Sequence, residues 1–177
     1  MRFRLGILLP TVLLAAALYS PVAGAAEAKP DLLGEFQDWF AYSNGTGANK
    51  VCYVLAKPRV SEPRGVRRDA VFFMISNFPA KKIVGEPSFV PGYTYKDKAT
   101  AEVQIGRDKF GLYTENAAGK GGAWVQRPDD ERRLMAAMKQ GANMVVTGTS
   151  SRGTSTKDTF SLAGITAALQ EVDKACR

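Results

Sequence analysis

Short apolar runs, each ended by glycine, proline or other turn residues, restrict most strongly how this chain can fold. The runs have strand length rather than helix length, and their regular spacing is typical of a sandwich or barrel. Segment 70–76 (AVFFMIS) is continuously apolar, which is typical of a buried strand. We predict a mostly β, β-sandwich-like single domain with strands at residues 36–42, 51–56, 70–76, 83–90, 100–105, 110–113, 123–125 and 143–149.

Two segments have the pattern of helices instead. Residues 128–140 begin with proline and three acids and end with a lysine before Gly141, the charge order that the helix dipole favours. Residues 165–175 carry apolar side chains at three- and four-residue spacing, which indicates an amphipathic helix. We therefore expect a short internal helix and a C-terminal helix.

The N-terminus has the layout of a secretory signal peptide. Arg2 and Arg4 precede an apolar run over 5–19, and small residues follow at 23–26. The run is shorter than the roughly 20 residues of a membrane span. We predict a signal over 1–25, a short lead-in over 26–35 and one domain over 36–177, without a transmembrane segment after cleavage. The expected location is the periplasm, with outer-membrane association or secretion as alternatives.

The histidine and cysteine content restricts which catalytic and metal sites this chain can form. The chain has no histidine, which excludes the usual Ser-His-Asp and Cys-His sites and most catalytic zinc sites. Cys52 and Cys176 are its only cysteines, too few for a thiolate-rich metal centre. We predict no catalytic residues, no metal and no cofactor. In an oxidising compartment an even cysteine count favours one disulfide, and two buried thiols or an intermolecular pair are the alternatives.

Net charge suggests a class of partner. The chain carries +7, and removal of Arg2 and Arg4 with the signal leaves about +5. A basic exported domain can bind anionic surfaces, although solubility alone also explains such a charge. Basic and aromatic side chains that suit glycan contact, or an ordinary solvated surface, are Arg64, Arg67, Arg68, Tyr93, Tyr95, Lys96 and Lys98.

The densest polar segment is 148–162, between two predicted strand regions. Gly148 and Gly153 have the separation of a phosphate-binding loop, but Thr154 stands where that loop needs lysine. A structural hairpin is the better interpretation, with Gly153 in an unusual backbone conformation and Arg152 paired with Asp158. Its candidate binding or structural residues are Ser151, Arg152, Gly153, Thr154, Thr156, Asp158 and Thr159.

Carboxylates provide the alternative to a binding function. Three consecutive acids at 129–131 fit a helix start better than a metal site, because neighbouring helical side chains point in different directions. A hydrolase could use two separated carboxylates, but no sequence pattern selects a pair. An exported hydrolase-type enzyme with a carboxylate-based site is therefore the alternative function.

The chain resembles the invasion-associated locus B family of alphaproteobacterial exported proteins over residues 36–177. The resemblance is carried by Val51-Cys52-Tyr53, Pro58, Gly92-Tyr93, Phe110-Gly111-Leu112-Tyr113, Ala123-Trp124, Met138-Lys139-Gln140-Gly141, Ala175-Cys176 and, most specifically, the string from Ser151 to Gly164 (SRGTSTKDTFSLAG). Some members have a further cysteine near the N-terminal tryptophan. Here Phe-Ala-Tyr follows Trp39, which leaves one bridge.

The resemblance implies a β-rich periplasmic or surface-associated protein with no known enzymatic reaction. We expect it to bind a protein or an anionic surface, such as lipid headgroups, lipopolysaccharide or glycan, rather than nucleic acid. Envelope integrity and host-cell attachment or invasion are the processes in which such binding would act.

Overall fold

Antiparallel strands form one continuous sheet in a computed structural model that describes residues 29–177. The mostly β prediction is confirmed, whereas the predicted signal over 1–25 lies outside the described residues. The strands are β1 (Asp31–Phe36), β2 (Trp39–Asn44), β3 (Val51–Ala56), β4 (Val60–Glu62), β5 (Phe72–Phe78), β6 (Ile83–Val90), β7 (Ala101–Ile105), β8 (Asp108–Ala117), β9 (Lys120–Val125), β10 (Asn143–Thr149) and β11 (Ser155–Ser161). Their order across the sheet is β1-β2-β3-β5-β6-β9-β8-β7-β10-β11-β4.

The sheet folds over so that its two halves meet across an apolar core. Phe73 of β5 and Phe89 of β6 pack edge-on against Phe160 of β11, with ring centroids 6.1 and 6.2 Å apart. These strands are far apart in the sheet order, so the contact requires the two halves to face each other. The arrangement is sandwich-like, with a core built from the alternate side chains that point inward.

Two helices complete the domain, as predicted. Helix α1 (Pro128–Gln140) buries Leu134 and Met138, and α2 (Ile165–Ala175) buries the apolar stripe that includes Leu169 and Val172. The predicted disulfide is confirmed: it joins Cys52 of β3 to Cys176 directly after α2, with Cα atoms 5.9 Å apart. Within residues 29–177, neither helix has both the length and the hydropathy required for a membrane crossing.

The folded domain begins earlier than residue 36. Residues 31–35 of the expected lead-in belong to β1, which pairs with β2 around a turn where Gln37 has a positive φ of 56°. Its sequence resembles a polar linker because β1 is an edge strand, and such strands carry charges that discourage further pairing.

Segment 57–69, which lies between two of the predicted strands and carries Arg64, Arg67 and Arg68, also contains a strand. Ser61 of β4 pairs with Asp158 of β11, which draws the loop onto the sheet edge. Three residues are enough for this pairing, too few to give a periodic sequence pattern.

Candidate functional site

The polar segment folds as the expected hairpin between β10 and β11, with its tip at 150–154. The amide of Gly153 donates to the Ser150 carbonyl at 2.8 Å, and the Ser150 amide donates to the Thr154 carbonyl at 2.9 Å. Gly153 has φ +83°, a conformation that glycine adopts without steric conflict. The tip is therefore a tight, internally bonded turn.

Asp158 pairs with Arg68, and the expected pair between Arg152 and Asp158 is wrong. The Arg68 guanidinium donates to both carboxylate oxygens, at 2.9 and 2.7 Å, and Ser61 Oγ donates to Oδ1 at 2.6 Å. Asp158 is fully buried on the inward side of β11, while Arg152 is exposed at the turn. Arg152 lies at the outer tip of the hairpin and cannot take the place of Arg68, which reaches Asp158 from the inward side of the sheet.

Arg68 is consequently not part of the exposed basic surface. Its side chain is only 8% exposed, and its Nε and NH2 groups also donate to the Pro91 carbonyl at 3.0 and 2.6 Å. The guanidinium lies over the Tyr93 ring, 5.1 Å from its centroid. Arg68 thus joins the segment before β5 to β11 and to the segment after β6.

The two tyrosines expected at the surface belong to this interior cluster. Tyr93 shares a hydrogen bond of 2.7 Å with Thr156 and packs edge-on against Tyr95, with ring centroids 5.4 Å apart. Burial raises the pKa of Tyr93, although Thr156 acts in the opposite direction. Tyr95 is 1% exposed, and burial raises its pKa further. The Tyr95 ring is therefore not free to stack on a ligand, and the Arg68 guanidinium covers one face of the half-buried Tyr93 ring.

A cleft of about 490 Å³ opens beside this cluster. Segments 66–69, 92–94 and 150–156 form its walls, and its charged and polar side chains include Arg67, Arg152 and Ser151. The Ser151 amide donates to the Thr94 carbonyl at 2.7 Å, and the hydroxyls of these two residues are 2.9 Å apart. The hairpin tip and the segment after β6 therefore form one connected wall.

Arg67 and Arg152 are the exposed cations of the cleft. They come from different loops, and among residues 29–177 neither makes a salt bridge. The buried pair behind them already uses the Asp158 carboxylate. Two guanidinium groups are thus available to a ligand at one opening.

The remaining predicted residues lie outside the cleft lining. Three of them are exposed: Arg64, Lys96 and Lys98. The Lys96 amide donates to the Thr149 carbonyl at 3.0 Å. Thr159 pairs with Val60, and its carbonyl accepts a hydrogen bond from the Arg59 amide at 2.8 Å. The cleft lining therefore contains some residues of the predicted polar segment and some of the predicted basic and aromatic surface, and the other residues of both sets lie outside it.

Gly92 is a site residue that the sequence interpretation missed. Its φ is +74°, its carbonyl accepts from the Asp69 amide at 2.9 Å, and an added Cβ would overlap the Asp69 carbonyl oxygen. This close approach holds segment 66–69 against 92–94. The Pro91-Gly92 dipeptide, a strong turn former, was the available sequence signal.

The cleft suits binding better than hydrolysis. Its lining supplies guanidinium groups, hydroxyls and one carboxylate, that of Asp69. Carboxylate-based glycoside hydrolysis needs two such groups flanking the scissile bond. Within residues 29–177, no group of three or more His, Cys, Asp or Glu side chains is arranged to hold a metal ion.

Comparisons with known proteins agree with this architecture. A family model described as "Invasion associated locus B (IalB) protein" matches residues 39–173. The chain belongs to the IalB family. No curated protein matches the chain.

A solved structure has a similar fold. The crystal structure of invasion associated protein B from Bartonella henselae is 15% identical, with a TM-score of 0.56, and the match covers 84% of this chain and 98% of that one. At this identity the likeness shows the fold of the IalB domain.

Proposed function

We propose that this IalB family protein is an exported, non-enzymatic binding protein that recognises an oxyanion, a phosphate, sulfate or carboxylate, displayed on an envelope or host surface. The observation that carries the proposal is the presence of Arg67 and Arg152, from separate loops, in one cleft without carboxylate partners among the described residues. Elsewhere in the described chain, several surface arginines have acidic neighbours, as Arg59 has Asp38.

The chemistry of the cleft fits such a ligand. A guanidinium presents several N–H donors in a rigid fork that matches the oxygens of phosphate and carboxylate. The hydroxyls of Ser151 and Thr94 lie at the same wall and can donate to further ligand oxygens. The overall positive charge would also raise the rate at which an anionic surface is encountered.

Export and family membership give the proposal its setting. The N-terminal sequence has the signal-peptide layout, and the name of the family refers to invasion. We propose a periplasmic or surface location and a role in envelope integrity or host attachment. N-terminal sequencing of the periplasmic fraction should show cleavage near Ala25, and an intact Met1 on a membrane-bound protein would contradict export.

The decisive experiment compares two double variants that lose the same charge. Arg67→Gln/Arg152→Gln removes the cleft cations, and Lys96→Gln/Lys98→Gln removes exposed cations outside the lining. The probes are vesicles containing phosphatidylglycerol, immobilised lipopolysaccharide and heparan sulfate.

We expect the cleft variant to lose about 10-fold or more in affinity for at least one probe, because directed hydrogen bonds disappear with the charge. The lysine variant should lose about 2-fold or less, the effect of general charge alone. Equal losses in both variants, or no binding by the wild-type protein to any probe, would contradict recognition in the cleft.

A further inference from the structure

One half of the sheet carries an apolar outer surface. Strand pairing places Phe40 beside Leu55, Leu55 beside Met74, Met74 beside Ser88, Ser88 beside Trp124, and Trp124 beside Tyr113. The row runs across β2, β3, β5, β6, β9 and β8, and none of its apolar members belongs to the buried core. We call this surface, with its flanking residues Tyr42, Tyr53, Phe72 and Val90, the outer apolar face.

The aromatic side chains pack against one another on this face. Tyr42 and Tyr53 stack with ring centroids 5.3 Å apart, and Tyr113 and Trp124 stack at 5.9 Å. The Trp124 indole lies over Gly122, where an added Cβ would overlap the ring. The glycine therefore lets the indole lie close to the sheet, which keeps the face flat.

The other half of the sheet has an ordinary polar exterior. Outward positions of β7, β10 and β11 carry Glu102, Gln104, Thr147, Lys157 and Thr159. Antiparallel sheets with one solvated face normally have such polar outward residues. Val145 of β10 is the one apolar side chain at the outward positions of these three strands. The apolar residues are thus concentrated in the other half and are not a general property of this sheet.

Neither helix covers the outer apolar face. The buried residues of α1 and α2, such as Leu134 and Leu169, belong to the core on the inward side. The disulfide fixes the end of α2 to Cys52, which is fully buried between half-exposed outward neighbours on β3. Strands with apolar residues on both faces are typical of sheets covered on both sides, yet residues 29–177 cover only one.

We propose that the outer apolar face binds the same face of a second copy, which gives a two-fold symmetric dimer of packed sheets. With strands about 4.8 Å apart and same-side residues about 7 Å apart along each strand, the ten residues of the face cover roughly 340 Å². A standard interface buries about 800 Å² per partner, so the face would form the apolar centre of such an interface and its polar rim the remainder. A flat apolar surface can pack on its own copy at the usual sheet spacing of about 10 Å.

The rim favours a second copy over a lipid surface. Glu115 pairs with Gly122 beside the Trp124 indole, and Glu86 lies two residues from Ser88 on the same side of β6. Lys120 lies on the same side of β9 as Trp124. Rim charges of both signs can pair across a two-fold axis, whereas the carboxylates would be repelled by anionic headgroups.

The test is the oligomeric state of the mature protein, measured by sedimentation equilibrium from about 1 to 200 µM. We expect a dimer, which Met74→Glu should convert to a monomer by raising the dissociation constant about 100-fold or more. Thr147→Glu makes the same charge change on the polar half of the sheet and should leave the dimer intact. Tyr113→Glu is the second interface variant, because Tyr113 is the most exposed member of the outer apolar face, at 39%.

Each outcome is decisive. A folded Met74→Glu or Tyr113→Glu monomer beside a dimeric Thr147→Glu protein supports the proposal. A wild-type protein that is monomeric throughout this range overturns it, as does a wild-type monomer that floats with lipid vesicles. A dimer that survives Tyr113→Glu, and Met74→Glu where that variant folds, overturns this choice of interface.

Discussion

Arg68 and Asp158 form a buried ion pair that ties the segment before β5 to the inward side of β11. Both guanidinium nitrogens of the fork lie within 2.9 Å of a carboxylate oxygen, and the two side chains are 8% and 0% exposed. The same guanidinium binds the Pro91 carbonyl and covers the Tyr93 ring. The pair therefore supports the wall of the cleft.

Removing Arg68 should destabilise the protein strongly. Arg68→Met keeps much of the apolar stem but leaves Asp158 buried without its cation, which costs about 3–5 kcal/mol in such pairs. Urea unfolding at pH 7 measures the change. Arg59→Met is the matched control, because Arg59 pairs with Asp38 at the surface, where solvent screens the ion pair, and its loss should cost far less than the loss of Arg68. Equal costs for both variants would contradict the structural role of Arg68.

The disulfide should make a large contribution to the free energy of unfolding. Cys52 and Cys176 are 124 residues apart, and closure of so long a loop contributes at most about 5 kcal/mol in the chain-entropy model. Reduction should lower the melting temperature, and Cys52→Ala/Cys176→Ala should show the same shift without reductant. Alkylation of the native, unreduced protein should detect no thiol; two modified cysteines would contradict the bridge.

The sequence predicted local elements well because their patterns are local. Helix boundaries at 128–140 and 165–175 follow from charge order and apolar spacing within one segment. The hairpin at 150–154 follows from its glycine and hydroxyl residues. Strand β4 was missed because its pairing with β11 depends on residues almost 100 positions away.

The ion-pair partner of Asp158 could not be predicted from local sequence patterns. Arg152 is near it in sequence, but Arg68 is 90 residues away. Alternation along β11 contained a usable clue: Thr156, Asp158 and Phe160 share one side, and an apolar neighbour on that side indicates burial. A buried carboxylate requires a paired cation, and here a segment distant in sequence supplies it. Which arginine is used depends on tertiary packing.

The ion pair between Asp38 and Arg59 should make stability depend on pH. Hydrogen bonds from Arg59 and Ser161 lower the pKa of Asp38 in the folded protein. This contribution is therefore present above the unfolded pKa of about 3.9 and is lost as the pH falls through the lower folded value. The difference in unfolding free energy between wild type and Asp38→Asn should shrink over that window.

The partner variant tests the cause of this dependence. In an Arg59→Gln background, the pH-dependent difference that Asp38→Asn makes to the unfolding free energy should largely disappear, because the largest cause of the lowered pKa has been removed. Urea unfolding at several pH values between about 2 and 6, a range that extends below the unfolded pKa of Asp38, measures it. In the wild-type background, a difference that stays constant with pH would contradict the assignment.

The hairpin tip places Gly153, which has a structural role, next to Arg152, for which we propose a binding role. Gly153 has φ +83°, and an added Cβ would meet nothing within 4 Å. The cost of Gly153→Val should therefore come from backbone strain alone, about 1–3 kcal/mol, while Gly153→Asn should cost less because asparagine tolerates this conformation better.

Arg152 should behave in the opposite way. Its side chain is exposed and makes no salt bridge within the described chain, so Arg152→Ala should leave the melting temperature within about 1 °C of wild type. The same variant should weaken binding to the anionic probe that the wild-type protein binds, because it removes one of the two cleft guanidinium groups. Measuring both properties on Gly153→Val, Gly153→Asn and Arg152→Ala distinguishes the roles. An unchanged melting temperature for Gly153→Val would refute the strain argument, and unchanged binding by Arg152→Ala would remove Arg152 from the proposed site.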